Sequence, residues 1–356
     1  MQSRLDHELY IEDLKRVCSQ DVGWDILNGS RIMVSGATGM IGTCLIDTLL
    51  YKAATSDFSC EVIALGRSAT KACKRLPYFD SPNFSFEEVD ISHPEARLAH
   101  DADIIFHLAS TTHPKAYATQ PIGTITSNIV GLQNLLEHAG KVSNSKFVFA
   151  SSVEVYGENR GDTESFTEDY CGYINCNTLR AGYPEAKRLG EALCQAYAHE
   201  RGQEVYIPRL PRTFGPTVLP TDTKAISQFI AKAVAGEDIV LKSEGTQVYS
   251  YLYVADLVSA LLWMLGHKLS GEAYNLADPS FDISLGDLAQ RLAEIGGSQV
   301  VFELPDEVER AGYSTATRAT MDGGKLAATG WVPFCELTSS LEQVVQILAQ
   351  TKEVPE

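Results

Sequence analysis

An apolar run, Arg31-Ile-Met-Val-Ser35, passes without a break into Gly36-Ala-Thr-Gly39-Met-Ile-Gly42, and an apolar helical pattern follows to Leu50. That order admits few folds. The run reads as a buried strand and the glycines as a tight strand-to-helix turn. Each glycine has its own task. The first permits the turn, the second lets backbone approach a pyrophosphate, and the third lets the helix pack closely on the sheet. A helix opening there presents free N–H groups and a partial positive charge to phosphates. Gly36, Thr38, Gly39, Met40, Ile41 and Gly42 are therefore the expected dinucleotide cradle. A glycine triplet alone is a weak sign, so the rest of the chain has to support it.

It does so through alternation. Further strand-like runs lie at 61–65, 84–90, 103–108, 146–150 and 205–209, with helical stretches between them such as Gly123 to Ala139. Strands alternating with helices imply a parallel, doubly wound sheet. The expected class is α/β, a Rossmann-type doubly wound parallel sheet with a smaller C-terminal substrate-binding lobe. Residues 1–29 read as an N-terminal extension. Its Leu9, Ile11, Leu14 and Val17 form one helical face, suited to packing or to an oligomer contact. Residues 30–215 read as the dinucleotide-binding domain. From 216 to about 350 the pattern breaks into prolines, a helix from Ala225 to Ala235 and short strands, and is expected to be mainly the substrate lobe. The strand at 249–253 and the helix from Asp256 are expected to cross back to the main domain.

Composition narrows the class. The 356 residues are 44% hydrophobic and 21% charged, as in ordinary globular proteins. A net charge of −17 argues against nucleic acid or an anionic membrane as partner. An anionic substrate would need a local cluster of Lys and Arg. No apolar run reaches the roughly 18 residues of a membrane span, and the polar start lacks the apolar core of a secretory signal. Eight scattered cysteines without a CxxC pair read as reduced thiols, so no metal site and a cytoplasmic setting are expected.

The chemistry is read from three segments. The second strand ends Leu65-Gly66-Arg67-Ser68. A carboxylate here would accept from the ribose hydroxyls of NAD, whereas Arg67 would attract a 2′-phosphate. That tilts the cofactor toward NADP, with NAD the alternative. Asp90 and Ile91, after the third strand, suit the adenine amino group and ring. Tyr183-Pro-Glu-Ala-Lys187 puts Tyr183 and Lys187 one turn apart on a helix face. A free tyrosine titrates near about 10, so a nearby ammonium and a cationic nicotinamide would be needed to make Tyr183 a base. Ser152, just past the fifth strand, would hold the reacting hydroxyl at the sheet edge where ligands bind.

With these motifs in this order, the chain resembles the extended short-chain dehydrogenase/reductases, in their nucleotide-sugar epimerase/dehydratase branch. The resemblance covers about residues 30 to 335. Within the branch it is similar to the UDP-glucuronate decarboxylases. The similarity runs through His107-Leu-Ala-Ser110, Pro121 to Asn128, Glu168 to Asn175, Arg180-Ala-Gly-Tyr183 and Arg212-Thr-Phe-Gly-Pro216. The resemblance implies oxidation at sugar C4 to a transient ketone, with Ser152, Tyr183 and Lys187 as the catalytic core. It implies Glu154 as a second acid/base, and Leu108, Ala109, Ser110 and Asn128 along the cofactor. The partner it implies is a nucleoside-diphosphate sugar. Thr112 and His113 would face the sugar, and Lys224, Gln228 and Arg318 the nucleotide. A homodimer formed by the helices from Gly123 and Tyr183 is also implied.

Three departures bear on the product. Val153 stands where the decarboxylases carry Ser and the dehydratases Asp. Tyr249 stands at an arginine position, and Arg212 replaces an asparagine. Arg212 is thus a candidate to restore positive charge from another strand, beside Tyr249. These departures favour a 4-epimerase or a 4-keto reductase over a dehydratase or uronate decarboxylase. A non-catalytic, cofactor-sensing protein of the same fold is the rival from another class.

Overall fold

The computed structural model describes residues 3–110, 117, 119–303 and 317–351. The strands are β1 (Ser30–Ser35), β2 (Cys60–Gly66), β3 (Phe84–Glu88), β4 (Ile104–His107), β5 (Lys146–Phe149), β6 (Ser151–Ser152), β7 (Glu204–Leu210), β8 (Arg212–Phe214), β9 (Ile239–Leu241), β10 (Val248–Tyr253), β11 (Ala273–Asn275), β12 (Asp282–Ser284), β13 (Val300–Phe302) and β14 (Arg318–Ala319). The main helices are α1 (Glu8–Ser19), α2 (Met40–Thr55), α3 (Ala69–Arg75), α4 (Pro121–Ala139), α5 (Gly182–Arg201), α6 (Ala225–Ala235), α7 (Val254–Gly266), α8 (Leu285–Gly296) and α9 (Leu337–Gln350).

The main sheet runs β3-β2-β1-β4-β5-β7-β11, all parallel, with β6 beside β7. This is the expected doubly wound α/β class. Its apolar runs are continuous because both faces are covered. Met33, Ile63, Ile105 and Phe147 point to the face under α4 and α5. Ile32, Val34, Val62 and Phe106 point to the other, under α2 and α7. The chain walks outward from β1 to β3 and then returns to β4 on the other side of β1. The crevice between the carboxyl ends of β1 and β4 is thus the switch point where such sheets bind ligands.

The N-terminal extension is a packed part of this domain. Helix α1 buries Tyr10, Asp13, Leu14, Val17 and Cys18, spaced as one helical face. Asp47, fully buried on α2, accepts from Arg4 at 2.8 and 3.0 Å, from Tyr10 at 2.6 Å and from Tyr78 at 2.8 Å. Asp13 accepts the Tyr253 hydroxyl at 2.5 Å, and the Gln343 amide donates to the Leu9 carbonyl at 3.2 Å. The extension therefore ties α2 to β10 and to α9.

β10 differs from expectation. It centres a second sheet, antiparallel to β12 and parallel to β8 and β14. The segment that joins the main sheet is β11, on β7. Tyr249 to Tyr253 are all buried. A strand buried on both sides carries no pattern that tells one sheet from another. Helix α7, directly after it, does pack on α2 of the main domain. A two-stranded pair, β9 with β13, and the mutually packed α6, α8 and α9 complete the C-terminal part. No helix among the described residues is long and apolar enough to cross a membrane.

Candidate active site

The crest of the sheet is closed by backbone contacts. Gly36 has φ +72°, and a Cβ there would lie 2.7 Å from the Ala109 nitrogen. A Cβ at Gly42 would lie 2.3 Å from the Gly36 carbonyl oxygen. Both positions exclude any side chain. Gly39 donates its N–H to Gly36 at 2.9 Å and precedes α2, which no side chain caps. Thr38, Met40 and Ile41 are half-buried around that opening. A cradle that side chains would fill and an uncapped helix start both fit a dinucleotide phosphate.

At the end of β2, Arg67 is exposed, and its charge helps hold Asp90 below the usual carboxylate range. The larger cause is Ser92, whose hydroxyl and N–H both donate to Asp90, at 2.6 and 3.0 Å. Asp90 thus shapes the turn after β3, while Ile91 lies against Gly131 of α4. After β4, Leu108 and Ala109 donate their N–H groups to Ser35, at 3.2 and 3.4 Å. Ser110 donates to the Asn128 side chain at 2.9 Å, and Asn128, buried, donates to the Thr124 carbonyl at 2.8 Å.

Helix α5 brings Tyr183 and Lys187 onto its buried face. Burial pushes the Tyr183 phenol up to about 12. A hydrogen bond from Ser152 is the largest opposing influence. The Glu154 charge adds to the rise, and Ser110 opposes it. Lys187 donates to the Ala150 carbonyl at 2.8 Å, with its nitrogen 4.7 Å from the centre of the Phe149 ring and 5.8 Å from that of Tyr183. Burial pushes Lys187 down to about 7. The sequence assigned the pull on the phenol to this ammonium; here two hydroxyls supply it. The ammonium is turned to the Ala150 carbonyl and is not among the groups that pull on the phenol.

Several neighbours are not among the site candidates that the sequence singles out. His107, fully buried, shares a 2.8 Å hydrogen bond with Ser35 and is held down to about 3 by burial and by Lys187. It is a neutral imidazole packed on Phe149. Tyr117 stacks on Tyr183 with ring centres 5.1 Å apart and planes at 20°. Arg180 holds both oxygens of Glu154, at 3.2 and 3.0 Å.

The remaining candidates scatter. Arg212 lies over the Tyr249 ring. Lys224 pairs with Asp222 at 2.7 Å, and the Gln228 amide donates to the Asp222 carbonyl at 2.5 Å, so both brace the loop before α6. Arg318 is exposed and donates to the Glu164 carbonyl at 2.7 Å. Thr112 and His113 lie outside the described residues. Ser110, Ser152, Glu154, Tyr183 and Lys187 are brought together, and Lys224, Gln228 and Arg318 are tied to local partners.

Residues 32–277 match the model of the NAD dependent epimerase/dehydratase family. The chain is 30% identical over 328 residues to UDP-glucuronic acid decarboxylase 1 of Danio rerio, covering 91% of this chain and 73% of that protein. The fold is similar to UDP-glucuronic acid 4-epimerase from Bacillus cereus in complex with UDP-glucuronic acid and NAD. Its TM-score is 0.73 at 23% identity, over 90% of this chain and 99% of that one. It is equally similar to dTDP-glucose 4,6-dehydratase from Bacillus anthracis in complex with NAD, with TM-score 0.74 at 22% identity over 91% and 97% of the two chains.

Lys187 gives this geometry a measurable signature. Its folded value of about 7 lies below the ordinary 10.5. Between those limits the unfolded chain holds a proton that the native chain lacks, so this group makes stability rise with pH across that window. Lys187→Met removes the dependence. Its melting temperature, taken relative to the unsubstituted protein, should fall steadily from pH 6 to pH 10, and parallel curves would show that the ammonium is not held under burial.

Proposed function

This chain belongs to the NAD-dependent epimerase/dehydratase family of nucleotide-sugar enzymes, and we propose that it exchanges hydride at C4 of a nucleoside-diphosphate sugar as a 4-epimerase or 4-keto reductase. Ser152 holds the reacting hydroxyl, and Tyr183 takes its proton on oxidation and returns it on reduction. Lys187 braces the crest through Ala150 and is the residue to hold the nicotinamide ribose. Gly36 to Gly42, with Leu108 and Ala109, line the phosphate side. When bound, the oxidised dinucleotide supplies the hydride acceptor and a fixed positive charge that offsets what burial does to the Tyr183 phenol.

One observation favours this reading over loss of water or CO₂. Further steps on the ring need a second acid/base. Glu154 is the candidate, yet both its oxygens are engaged by Arg180, and Val153 beside it carries no proton. Tyr183→Phe should lower turnover about 1,000-fold, the scale of general acid–base catalysis, while leaving cofactor binding intact. Product analysis on UDP- and dTDP-sugars should give a stereoisomer or reduced sugar. Released CO₂ or water, or full turnover by the phenylalanine variant, would refute the reading.

For the cofactor, solved relatives bind NAD, and exposed Arg67 supports use of NADP as well. Arg67→Asp should weaken NADP at least about tenfold more than NAD, consistent with loss of a charge-assisted phosphate contact. Equal effects on both would remove the 2′-phosphate role.

We also propose a cytoplasmic homodimer. Ile122 and Ile125 on α4 and Leu189 on α5 are exposed, Ile122 by 80%, and these helices pack together. A shared apolar helix pair suits a four-helix contact between copies. Sedimentation should show a dimer at micromolar concentration and a monomer for Ile122→Glu/Leu189→Glu; a monomer in both sends the idea away.

A further inference from the structure

Arg212 opens β8, and its guanidinium carbon lies 3.5 Å from the centre of the Tyr249 ring. β8 and β10 run parallel with Arg212 opposite Tyr251. Tyr249 is two residues along the strand, so Arg212 and both tyrosines share one face of the small sheet. Arg212 Nη1 is buried with no hydrogen-bond partner among the described residues. Other arginines near the site are compensated. Arg180 is held by Glu154, and Arg209 by Glu191 at 2.7 Å. Among the described residues no carboxylate pairs with Arg212. Its position is tied to the chemistry through Tyr117. That phenol stacks on Tyr183 and feels Glu154, Arg180 and Arg212 together.

A buried guanidinium N–H without a partner is costly unless a ligand supplies one. A cation without a counter-ion among the described residues, in a chain of net charge −17, selects that ligand by sign. We propose that Arg212 is the oxyanion-binding and specificity-determining residue of the substrate site, taking a sugar carboxylate or a phosphate oxygen of the substrate while Tyr249 holds its plane. This rests on the reading of the substrate as a nucleoside-diphosphate sugar. The bound oxygen accepts from Nη1, and the ring of Tyr249 covers the guanidinium face and limits its orientations.

The test is calorimetric titration of the NAD-loaded full-length enzyme with UDP-glucuronate, UDP-glucose and inorganic pyrophosphate. The proteins are the unsubstituted enzyme, Arg212→Gln and Arg212→Lys, each checked for an unchanged melting temperature. Arg212→Gln should weaken at least one probe about 30-fold or more, the loss typical of removing one partner of a hydrogen-bonded charge pair. Arg212→Lys, which keeps the charge, should recover part of it and keeps the test open if the glutamine variant misfolds. A loss confined to UDP-glucuronate assigns the carboxylate. An equal loss for all three probes assigns the phosphate. Tight binding of the sugar nucleotides that ignores both substitutions overturns the oxyanion role and leaves the proposed function standing. Failure of the unsubstituted enzyme to bind any probe overturns both.

Discussion

The approach of Gly36 to Ala109 is the contact on which the site is built. It is backbone against backbone, at a spacing that a single Cβ would break. It joins the crest of β1 to that of β4, and the next residue, Ser110, reaches both Asn128 of α4 and the Tyr183 phenol of α5. The glycine turn and the helix that carries Tyr183 are thus two residues of β4 crest apart. Behind it, α2 is fixed by Asp47, whose buried carboxylate is met by one guanidinium and two phenols. A buried carboxylate is tolerable only with such a full set of donors. That set explains why a segment ahead of the sheet is part of the domain.

Burial works against the charged forms of three titratable groups at the crest. It raises Tyr183, lowers Lys187 and lowers His107. Left to burial alone the three would be neutral, and a neutral crest is a weak base. What opposes burial differs by residue: hydroxyl donors for Tyr183, Cys194 and then Glu191 for Lys187, none for His107. His107 is therefore a packing and orienting group, held by Ser35 and Phe149, although its residue type suggests chemistry.

Much of this was legible in the chain. The strand-turn-helix order fixed the sheet, because continuous apolar runs between helices have few other uses. Tyr183 and Lys187 were legible from helical spacing, and Ser152 from its place after a strand. The pairings across long separations were not. Nothing local to Glu154 announces Arg180, and nothing local to Tyr183 announces Tyr117; both partners come from segments distant in sequence that only the fold brings in. Lys224, Gln228 and Arg318 were chosen for charge or polarity near a helix or strand end. Other protein groups, Asp222 for the first two and the Glu164 carbonyl for Arg318, engage them first.

Arg212 and Tyr249 show the same limit from the opposite side. In the sequence they are separate departures 37 positions apart by their numbers, one gaining a charge and one lacking it. In the fold they are neighbours on adjacent parallel strands, stacked as one unit. A side chain two residues along a strand returns to the same face, and the next strand lies about 4.8 Å away. An arginine on β8 therefore reaches the space above β10 without needing a place on β10, and an aromatic ring there is the surface that supports it. Arg212 and Tyr249 are then a single geometric unit: the cation stands on the strand beside the ring, and its flat face rests on that ring.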